Sequence, residues 1–364
     1  MPKDISQDNV ADVVIVTALE KERDAILRYL DSPKQVTSKN RTVHKAYLQH
    51  ENSETGYQVV VLCFGGMGNV QSATAVTQAI DIWNPAAIVL TGIMGGVEAS
   101  ERSLGDLIVA EQIVGYESGK VKDTGTETRF QVQQPTYGIL EKARNFPRKK
   151  WVCDRRTIPW PDGQSGRVSP QVHFGVVASG EKVIADTITV PKLQSSWEKL
   201  IGVEMEGFGT ALAVYQADSA PAMFMVKGIS DWANPNKNDA WEDAWQAYAA
   251  DVAAAYVVNF LKSKPIESRV KSQVKSNIPG LKVVPRFAIG KNKLQFNNRL
   301  GESYKQLATY FGIKVNERKL WEPGNEGERI IEWLEQRNRL EELPEALKDV
   351  ERDDLVDLAK LFIH

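Results

Sequence analysis

The chain reads Val203-Glu204-Met205-Glu206-Gly207 where a β-rich run gives way to a helix of small residues, and it reads Gly228-Ile229-Ser230-Asp231 where an apolar strand ends. Both motifs would then open onto one edge of a sheet. Ligands of open α/β sheets bind in the crevice outside the carboxyl ends of the strands, so acids gathered there indicate catalysis. Carboxylates also favour helix N-termini, and these two motifs alone support a capping role and a catalytic role equally.

The sequence around these motifs predicts an α/β fold, because short β-branched runs alternate with amphipathic helical stretches from Ala11 to about Leu261. The predicted strands are Val13–Thr17, Gln58–Phe64, Ala87–Thr91, Asp106–Val114, His173–Ala178 and Ala222–Gly228. The predicted helices are Glu20–Leu30, Asn69–Trp83, Gly207–Gln216 and Asp239–Leu261. Several strands are apolar throughout, which is typical of a central, mostly parallel sheet covered by helices on both faces. The less regular stretch from about Gly119 to Pro170 predicts either an insertion over the ligand edge or a solvated surface excursion.

The composition narrows the class of function. A chain of 364 residues with 42% hydrophobic residues, 25% charged residues and a formal charge of -2 lacks the basic field that attracts nucleic acid or anionic membranes. Its two cysteines and four histidines form no CxxC, HxH or HExxH motif, so we expect neither a metal site nor a cofactor. The N-terminus has no signal-peptide pattern and no apolar run reaches about 18 residues, so we expect a cytoplasmic protein.

A change of composition after Leu261 indicates a second domain. Residues 262–284 are rich in serine and basic residues, as linkers are, and residues 285–364 place apolar side chains at the spacing of three or four short helices. We therefore predict a catalytic domain (1–261), a basic linker (262–284) and an all-α domain (285–364). A helical module of that size is only marginally stable alone, which suits an adaptor that binds a protein partner.

Two glycine-rich segments follow successive predicted strands. They are Phe64-Gly65-Gly66-Met67-Gly68-Asn69-Val70 and Thr91-Gly92-Ile93-Met94-Gly95-Gly96-Val97, and neither matches a P-loop or a GxGxxG motif. Each alone is best explained as a tight turn, whereas two on neighbouring strands favour a crevice that exposes backbone amides to a ligand. Thr17-Ala18-Leu19-Glu20-Lys21-Glu22-Arg23 adds acids at the same edge, although by itself it is a favourable first helical turn.

In this order the motifs resemble those of the nucleoside phosphorylase and nucleosidase superfamily, which includes the methylthioadenosine/S-adenosylhomocysteine nucleosidases. The resemblance covers about residues 11 to 261. It is carried by the Ala-x-Glu-x-Glu start, the Gly-x-Gly turn, the T-G-x-x-G-G turn, the strand Leu104–Ala110, the loop Ala178–Ile184, V-E-M-E and I-S-D. It implies a three-layer fold around a mixed, mostly parallel sheet.

The resemblance also implies catalytic roles for three carboxylates. Glu22 would activate a water, Glu206 would hold the ribose hydroxyls and Asp231 would protonate the departing base. Breaking an N-glycosidic bond builds an oxocarbenium-like sugar and leaves electron density on the purine, so it needs an acid near the base and stabilisation of the cation. Asp231 must then be held protonated, as burial or a neighbouring acid can do. The implied substrate-binding residues are Gly66, Gly68, Gly95, Val183, Ile184, Glu204, Met205 and Ser230, among which Met205 would pack under the ribose, Ser230 would orient Asp231 and Glu204 would also serve the helix terminus.

Departures from the family pattern bear on the substrate. Superfamily phosphorylases carry an arginine-containing phosphate loop where this chain reads Ala18-Leu19-Glu20-Lys21-Glu22, which favours hydrolysis over phosphorolysis, with Lys21 and Arg23 arguing the other way. Val183 followed by Ile184 stands where the methylthioadenosine enzymes carry a phenylalanine that stacks on adenine. The stretch from Gly119 to Pro170 offers basic residues suited to a 5′-phosphate chain, or to a plain exposed strip: Arg129, Arg144, Arg148, Lys149, Lys150, Arg155 and Arg156.

A second resemblance is to nucleosidase-like domains fused to defence and signalling modules, some of which deplete ATP or related nucleotides during infection. It is carried by the stretches 230–234, 237–241 and 248–256, while residues 327–334 and 340–347 are similar to helical effector-associated domains. We therefore predict a purine nucleosidase acting on an adenine nucleoside or nucleotide, with ATP a candidate, in an antiviral setting. It would form a homo-oligomer, because family members often complete their pockets with a neighbour's residues. The alternatives are a methylthioadenosine/S-adenosylhomocysteine nucleosidase, a phosphate-dependent phosphorylase and a non-catalytic nucleoside-binding sensor.

Overall fold

The computed structural model describes residues 10–38, 41–123, 125–147, 169–235, 241–268, 299–314, 326–335 and 339–360, together with residues 151, 158, 161, 296, 297, 318, 321 and 337. The chain divides into two compact units, Met1–Lys271 and Ser272–His364. Most of the predicted linker, 262–284, lies outside the described residues.

The first unit is built on one large sheet. Its described strands are β1 (Val13–Thr17), β2 (Lys34–Ser38), β3 (Arg41–Gln49), β4 (Gly56–Cys63), β5 (Ala87–Gly96), β6 (Leu107–Gly115), β7 (Gly119–Lys122), β8 (Gly125–Thr128), β9 (Gln131–Gln133), β10 (Val172–Ser179), β11 (Leu200–Glu204) and β12 (Ala222–Asp231). Within the described ranges, ten of these strands form a sheet in the order β11-β10-β6-β12-β5-β1-β4-β3-β2, with β9 paired to β6. Strands β7 and β8 form a separate hairpin.

All the predicted strands are present, but β5 and β12 run well past their predicted ends. The second glycine segment, Thr91–Val97, is therefore mostly strand, and the prediction of a turn there is wrong. The reason is that β12 pairs in parallel with β5 through Gly92 and Ile93, while β11 pairs antiparallel with Gly95 and Gly96. Glycines inside a strand mark the close approach of another group, and this holds for the segment as described below.

The sheet is mixed, as predicted, but in the described part antiparallel pairings are as frequent as parallel ones. The parallel pairs are β1–β4, β1–β5, β5–β12, β6–β10 and β10–β11. The antiparallel pairs are β2–β3, β3–β4, β5–β11, β6–β9 and β6–β12. Three of these involve β2, β3 or β9, which were not predicted. Short connections join β2 to β3 and β3 to β4, and such connections allow only antiparallel pairing.

Helices cover both faces of the sheet, which confirms the three-layer fold. They are α1 (Glu20–Arg28), α2 (Asn69–Trp83), α3 (Tyr137–Arg144), α4 (Thr189–Ser196), α5 (Gly207–Tyr215) and α6 (Glu242–Lys262). Successive side chains of a strand point to opposite faces of the sheet, so the residues of β1 show which helices cover each face. Val13 and Ile15 pack in one core with α1 and α6, whereas Val14 and Val16 pack in the other with α2 and α5.

The stretch from Gly119 to Pro170, predicted to be irregular, contains β7, β8, β9 and α3 in its described part. Strand β9 extends the main sheet, and α3 buries Ile139, Leu140 and Ala143. Part of the predicted insertion therefore belongs to the core of the first unit.

The second unit is helical, as predicted. Its described helices are α7 (Tyr304–Tyr310), α8 (Glu326–Glu335), α9 (Leu343–Asp349) and α10 (Val356–Lys360). Buried apolar side chains of this unit form one core, which includes Leu307, Phe311, Ile330, Ile331, Leu334, Leu343, Leu347, Leu355 and Leu358. Across the described ranges of both units, no helix is long and apolar enough to cross a membrane, and no cluster of His, Cys, Asp or Glu side chains could hold a metal ion.

Candidate active site

The three predicted catalytic carboxylates line one cavity of about 410 Å³ at the carboxyl ends of the central strands. Glu22 lies in the first turn of α1 after β1, Glu206 lies between β11 and α5, and Asp231 ends β12. Their exposed fractions are only 3%, 3% and 7%. Buried carboxylates require hydrogen-bond or charge partners, so the neighbours of each acid define what it can do.

Glu22 is held entirely by backbone donors. Its Oε2 accepts hydrogen bonds of 2.9 Å from the N–H groups of Ala18 and Leu19, and its Oε1 accepts one of 2.8 Å from Ile93 N–H. Burial raises the pKa of the Glu22 carboxyl above its ordinary value of 4.5, and Glu206 adds to the rise, while an ammonium nearby and the backbone donors oppose it without cancelling it. A carboxylate with a raised pKa is a better general base than an exposed one.

Gly92 explains how the Glu22 carboxylate fits against β5. A Cβ built on Gly92 would lie 2.1 Å from Glu22 Oε1, and the glycine has a φ of +150°. Only a residue without a side chain leaves room for the carboxylate there. This is the close approach that the glycine-bearing part of β5 makes.

Lys227 supplies this ammonium, and the sequence analysis did not identify it. It is 1% exposed, and its Nζ lies 2.9 Å from Glu204 Oε2 and 2.6 Å from Glu206 Oε2. Burial disfavours the charged form, but Glu204, Glu206 and Glu22 together outweigh it and raise the pKa of Lys227. The signal in the sequence is a single lysine within the apolar strand Ala222–Asp231, since a buried cation needs carboxylate partners.

Glu204 and Glu206 both contact Lys227, but their other hydrogen-bond partners differ. The Glu204 carboxylate accepts 2.9 Å hydrogen bonds from the N–H groups of Glu206 and Gly207 at the start of α5, as a helix-terminal acid does. Burial opposes its ionisation, but Lys227 and these hydrogen bonds outweigh burial and lower the pKa of Glu204. Glu206 instead presents Oε1 to Gly68 N–H at 3.2 Å and Oε2 to Lys227, so its carboxylate is fixed at the cavity wall.

Asp231 is fixed by its own neighbours in sequence. Ser230 Oγ donates a 2.9 Å hydrogen bond to Asp231 Oδ2, and Ala233 N–H donates one of 2.9 Å to Oδ1. A Cβ on Gly95 would lie 3.2 Å from Asp231 Oδ1 and 2.8 Å from the Ala233 Cβ, so Gly95 leaves room for this turn. The contact between Ser230 and Asp231 is the one through which the serine would orient the acid.

The remaining predicted substrate-binding residues divide into two groups. Gly95, Val183, Ile184, Glu204, Met205 and Ser230 line the cavity with the catalytic acids. Gly66 and Gly68 themselves are not among the lining residues, although Met67 between them is. Gly68 acts indirectly, because its N–H holds Glu206. Val183 is 51% exposed at the mouth of the cavity, whereas Ile184 is buried.

The basic residues considered for a phosphate chain are not gathered at the cavity in the described ranges. Arg144 pairs with Glu111 and lies 5.8 Å from the centroid of the Phe174 ring, and Arg129 is exposed. Neither lines the cavity. The rest of that set lies outside the described residues: Arg148, Lys149, Lys150, Arg155 and Arg156. Lys237, part of the second resemblance, lies outside them too.

Two family models match the chain. Residues 12–262 match the phosphorylase superfamily, and residues 290–361 match bacterial death-like domain 3. The two matches fall within the first and second structural units, respectively.

Curated relatives are similar to the chain at low identity. The ATP nucleosidase Cap17 of Escherichia coli (strain KTE188) is 25% identical over 265 residues, which cover 67% of this chain and 50% of that protein. The death domain-containing ATP nucleosidase of Amphimedon queenslandica is 24% identical, over 54% of this chain and 37% of that protein. The 5′-methylthioadenosine/S-adenosylhomocysteine nucleosidase of Shewanella sediminis is 23% identical, over 68% of this chain and 97% of that protein. The chain thus spans half or less of the length of the two ATP nucleosidases.

Solved structures share the fold of the first unit. The 5′-methylthioadenosine/S-adenosylhomocysteine nucleosidase from Neisseria meningitidis in complex with methylthio-immucillin-A superposes with a TM-score of 0.54 at 19% identity, covering 69% of this chain and 98% of that chain. The futalosine hydrolase of Helicobacter pylori superposes with a TM-score of 0.52 at 19% identity, covering 70% and 98%. The α/β arrangement described above is therefore an arrangement known from these structures.

Proposed function

The chain belongs to the phosphorylase superfamily, and we propose that it is a purine nucleosidase that hydrolyses the N-glycosidic bond of an adenine nucleoside or nucleotide. The convergence of Glu22, Glu206 and Asp231 on one cavity of about 410 Å³ carries the proposal. That volume lies within the range of small-ligand sites, about 300–1,000 Å³. The names of the similar ATP nucleosidases and of the methylthioadenosine/S-adenosylhomocysteine nucleosidases support adenine as the base.

The contacts of each acid support the role that we propose for it. Asp231, held in place by Ser230 and Ala233, donates a proton to the departing purine. Glu206 accepts hydrogen bonds from the ribose hydroxyls, and these bonds strengthen as positive charge develops on the sugar. Glu22 takes a proton from the attacking water, which suits a carboxylate whose pKa is raised by burial.

We propose that Lys227 orients two carboxylates of this site by its positive charge. Its ammonium holds Glu204 and Glu206 in place at 2.9 Å and 2.6 Å, so both carboxylates are oriented before the substrate arrives. Groups that are fixed in advance need no reorganisation as the transition state forms. We therefore assign Lys227 the role of organising the ribose-binding carboxylate rather than of contacting the leaving base.

Occupied backbone donors favour water over phosphate as the nucleophile. The N–H of Gly68 is bound by Glu206, and the N–H of Asn69, at the N-terminus of α2, is bound by the Glu181 carboxylate at 3.1 Å. Glu22 occupies the N–H groups of Ala18 and Leu19 in the same way. Amides at helix N-termini are natural phosphate sites, but here carboxylates already hold them and would repel a phosphate anion.

Two candidate substrates differ in the group at the 5′ position of the ribose, which is a phosphate chain in one and a thioether in the other. The Amphimedon queenslandica relative is named both for a death domain and for ATP, which supports a nucleotide substrate, and we place that activity in an antiviral setting. A methylthioadenosine-like thioether is the second candidate, because apolar side chains also line the described cavity: Leu19, Met67, Ile93, Val183 and Ile184. Lys182, a cation in that lining, is already paired with Glu117 at 2.5 Å.

We further propose a homo-oligomer and a protein partner for the helical domain. Met67 and Val183 line the cavity yet are 49% and 51% exposed, and Val70 and Ile188 on neighbouring segments are 71% and 72% exposed. A second copy that covers these side chains would close the mouth of the site. The match of residues 290–361 to a death-like domain supports recruitment through that domain, and the half-buried free thiol of Cys63 suits a reducing, cytoplasmic location.

The test is chromatography of the free bases released from a panel of purine nucleosides and their mono-, di- and triphosphates, with and without inorganic phosphate. Release of adenine without phosphate is the expected result. Release only with phosphate would make the protein a phosphorylase, and no release from any member of the panel would leave a nucleoside-binding sensor. Preference for triphosphates or for methylthioadenosine decides between the two substrate classes. Sedimentation of wild type and Val183→Glu tests the oligomer, which the glutamate is expected to weaken.

A further inference from the structure

We infer that Asn69 is a positioning residue that fixes the loop at the base end of the cavity relative to Glu206 at its ribose end. The inference rests on the proposed function, because it assigns a role within the same site. Asn69 is the first residue of α2, and it is only 9% exposed. It does not line the cavity, so it would act through other residues and not on the substrate.

The Asn69 side chain uses both ends of its amide on two different segments. Its Nδ2 donates a 2.9 Å hydrogen bond to the carbonyl of Gly180, and its Oδ1 accepts a 3.0 Å bond from Ser179 Oγ. The same Oδ1 accepts a 2.8 Å bond from Gly209 N–H. One buried amide thus joins the end of β10 to the first turn of α5.

These two segments carry the two halves of the proposed site. Immediately after Gly180, residues 182–185 line the cavity where the resemblance places the base. Immediately before α5, Glu206 lines it where the ribose is expected. A displacement of one segment relative to the other would change the distance between base and ribose contacts.

Further contacts of the first turn of α2 tighten the same junction. The backbone N–H of Asn69 donates to both oxygens of the Glu181 carboxylate, at 3.1 Å and 3.2 Å. Ser72 Oγ donates a 2.8 Å bond to the carbonyl of Glu206. Ser179 Oγ also accepts a 3.0 Å bond from Phe208 N–H. The start of α2 is therefore bonded on one side to the loop that leads into residues 182–185, at the base end of the cavity. On the other side it is bonded to the segment of Glu206, at the ribose end.

Direct backbone packing leaves little freedom at this junction. A Cβ built on Gly209 would lie 2.0 Å from the carbonyl oxygen of Asn69 and 2.5 Å from Ser72 Oγ, so α2 and α5 meet without side chains between them. Buried polar groups that lose a partner remain unsatisfied in such a contact. Removing the Asn69 amide would deprive the Gly180 carbonyl, the Ser179 hydroxyl and the Gly209 N–H of this partner. The end of β10 and the first turn of α5 would then shift relative to each other.

The expected consequence is kinetic and specific. Hydrolysis needs the base at Asp231 and the ribose at Glu206 at the same time, and a misplacement of about 1 Å can cost about 100-fold in rate. Adenine alone occupies only the base end, so its binding does not depend on the relation between the two ends. Asn69→Ala should therefore lower kcat/KM for the nucleoside or nucleotide substrate by about 10- to 100-fold, while the competitive inhibition constant of free adenine stays within about twofold.

The experiment compares wild type, Asn69→Ala, Ser179→Ala and the double variant of the full chain. Asn69→Ala and Ser179→Ala remove opposite ends of one hydrogen bond, so their effects on kcat/KM should be clearly non-additive. Asn84→Ala is the matched control: it changes the same residue type at the other end of α2, where Asn84 has a left-handed φ of 42°. This control should lower the melting temperature and leave kcat/KM unchanged.

Each result decides the matter. If adenine loses affinity by the same factor as kcat/KM falls, the site has collapsed and the positioning role is wrong. Additive effects of the two substitutions, or an Asn69→Ala variant with wild-type kcat/KM, would overturn it as well. If Asn69→Ala does not fold, Ser179→Ala alone must still lower kcat/KM without weakening adenine inhibition. A wild-type chain that releases no base from any purine compound would instead overturn the proposed function, and this inference with it.

Discussion

Replacing Lys227 with methionine removes an ammonium that Glu204 and Glu206 share. Lys227 is 1% exposed, and its Nζ lies 2.9 Å from Glu204 Oε2 and 2.6 Å from Glu206 Oε2. Methionine is unbranched and nearly as long, so it fills the space without a charge. The substitution therefore leaves two carboxylates, 7% and 3% exposed, without their cation.

Two independent arguments give the magnitude. Breaking a buried ion pair by removing one partner costs about 3–5 kcal/mol of the free energy of unfolding. The variant can also relieve Glu204 by protonating it. The ordinary pKa of a glutamate carboxyl is 4.5, so pH 7 lies about 2.5 units above it. Protonation at pH 7 therefore costs about 3.4 kcal/mol, because each pKa unit corresponds to about 1.36 kcal/mol. A loss of about 3–4 kcal/mol in a unit of this size lowers Tm by about 6–16 °C.

The pH dependence identifies the cause. In the wild type, Lys227 lowers the pKa of folded Glu204 below its ordinary 4.5, so this pair adds stability above that pH and loses it on acidification. In Lys227→Met, burial without the ammonium raises the pKa of Glu204, so the variant loses stability as the pH rises towards 7. Both effects widen the gap in Tm between wild type and variant from pH 5 to pH 7.

Thermal unfolding followed by circular dichroism at pH 5 and pH 7 measures this gap. Lys21→Met is the control, because the Lys21 side chain is 41% exposed and pairs with Asp243 at 3.4 Å on the surface. That control should change the free energy of unfolding by no more than about 0.5 kcal/mol. A Lys227→Met protein that melts within about 2 °C of wild type at pH 7, or a gap that does not shrink at pH 5, would refute the electrostatic reasoning.

Three further predictions concern catalysis. Asp231→Asn and Glu206→Gln should each lower base release by at least about 100-fold with an unchanged circular dichroism spectrum, and retained hydrolysis in either would remove that residue from the mechanism. The pH profile of kcat/KM should fall on the acid side with a midpoint above 4.5, because burial raises the pKa of Glu22 and the base must be ionised to act; a midpoint at or below 4.5 would show that another group titrates. Gly92→Ala should lower kcat by about 100-fold, because its Cβ would lie 2.1 Å from Glu22 Oε1, whereas Gly138→Ala, with open space around it, should leave kcat unchanged.

The parts of the fold that the sequence predicted are those whose local pattern matches their final surroundings. Helix α2 spans Asn69–Trp83 and strand β1 spans Val13–Thr17, both as predicted, because each carries an uninterrupted periodic or apolar pattern. Strand β2, Lys34–Ser38, was missed because it lies at the sheet edge and is largely exposed, so it lacks an apolar run. Strand β2 is stabilised by its pairing with β3, and the local composition of the segment does not predict that pairing.

Glycines misled the prediction at one place for a physical reason. Segments rich in glycine usually indicate turns, and Gly92–Gly96 was predicted as one. The structure places these residues in β5, where the missing side chains admit the Glu22 carboxylate and the turn at Asp231. A glycine that makes room for another group and a glycine that makes a turn look the same in one sequence.

The two residues missed at the site differ in how they could have been found. Lys227 interrupts an apolar strand, and a lysine there implies buried carboxylates, which the nearby V-E-M-E motif provides. Asn69 gives no such signal, because asparagine is common at helix starts. Its role depends on Ser179, Gly180 and Gly209 meeting in space, and those residues are more than a hundred positions away in sequence.

The charge balance around Lys227 links the architecture of the site to the choice of nucleophile. Glu22, Glu204 and Glu206 all act electrostatically on Lys227, so among the described residues three carboxylates act on this one buried ammonium. Such an excess of negative charge favours a sugar that becomes positive in the transition state, and the low local dielectric strengthens the effect. The same excess disfavours the entry of a phosphate anion and does not oppose a neutral water. One buried arrangement would then promote cleavage of the glycosidic bond and select hydrolysis, so a charge-conserving change such as Lys227→Arg should preserve phosphate-independent base release better than Lys227→Met.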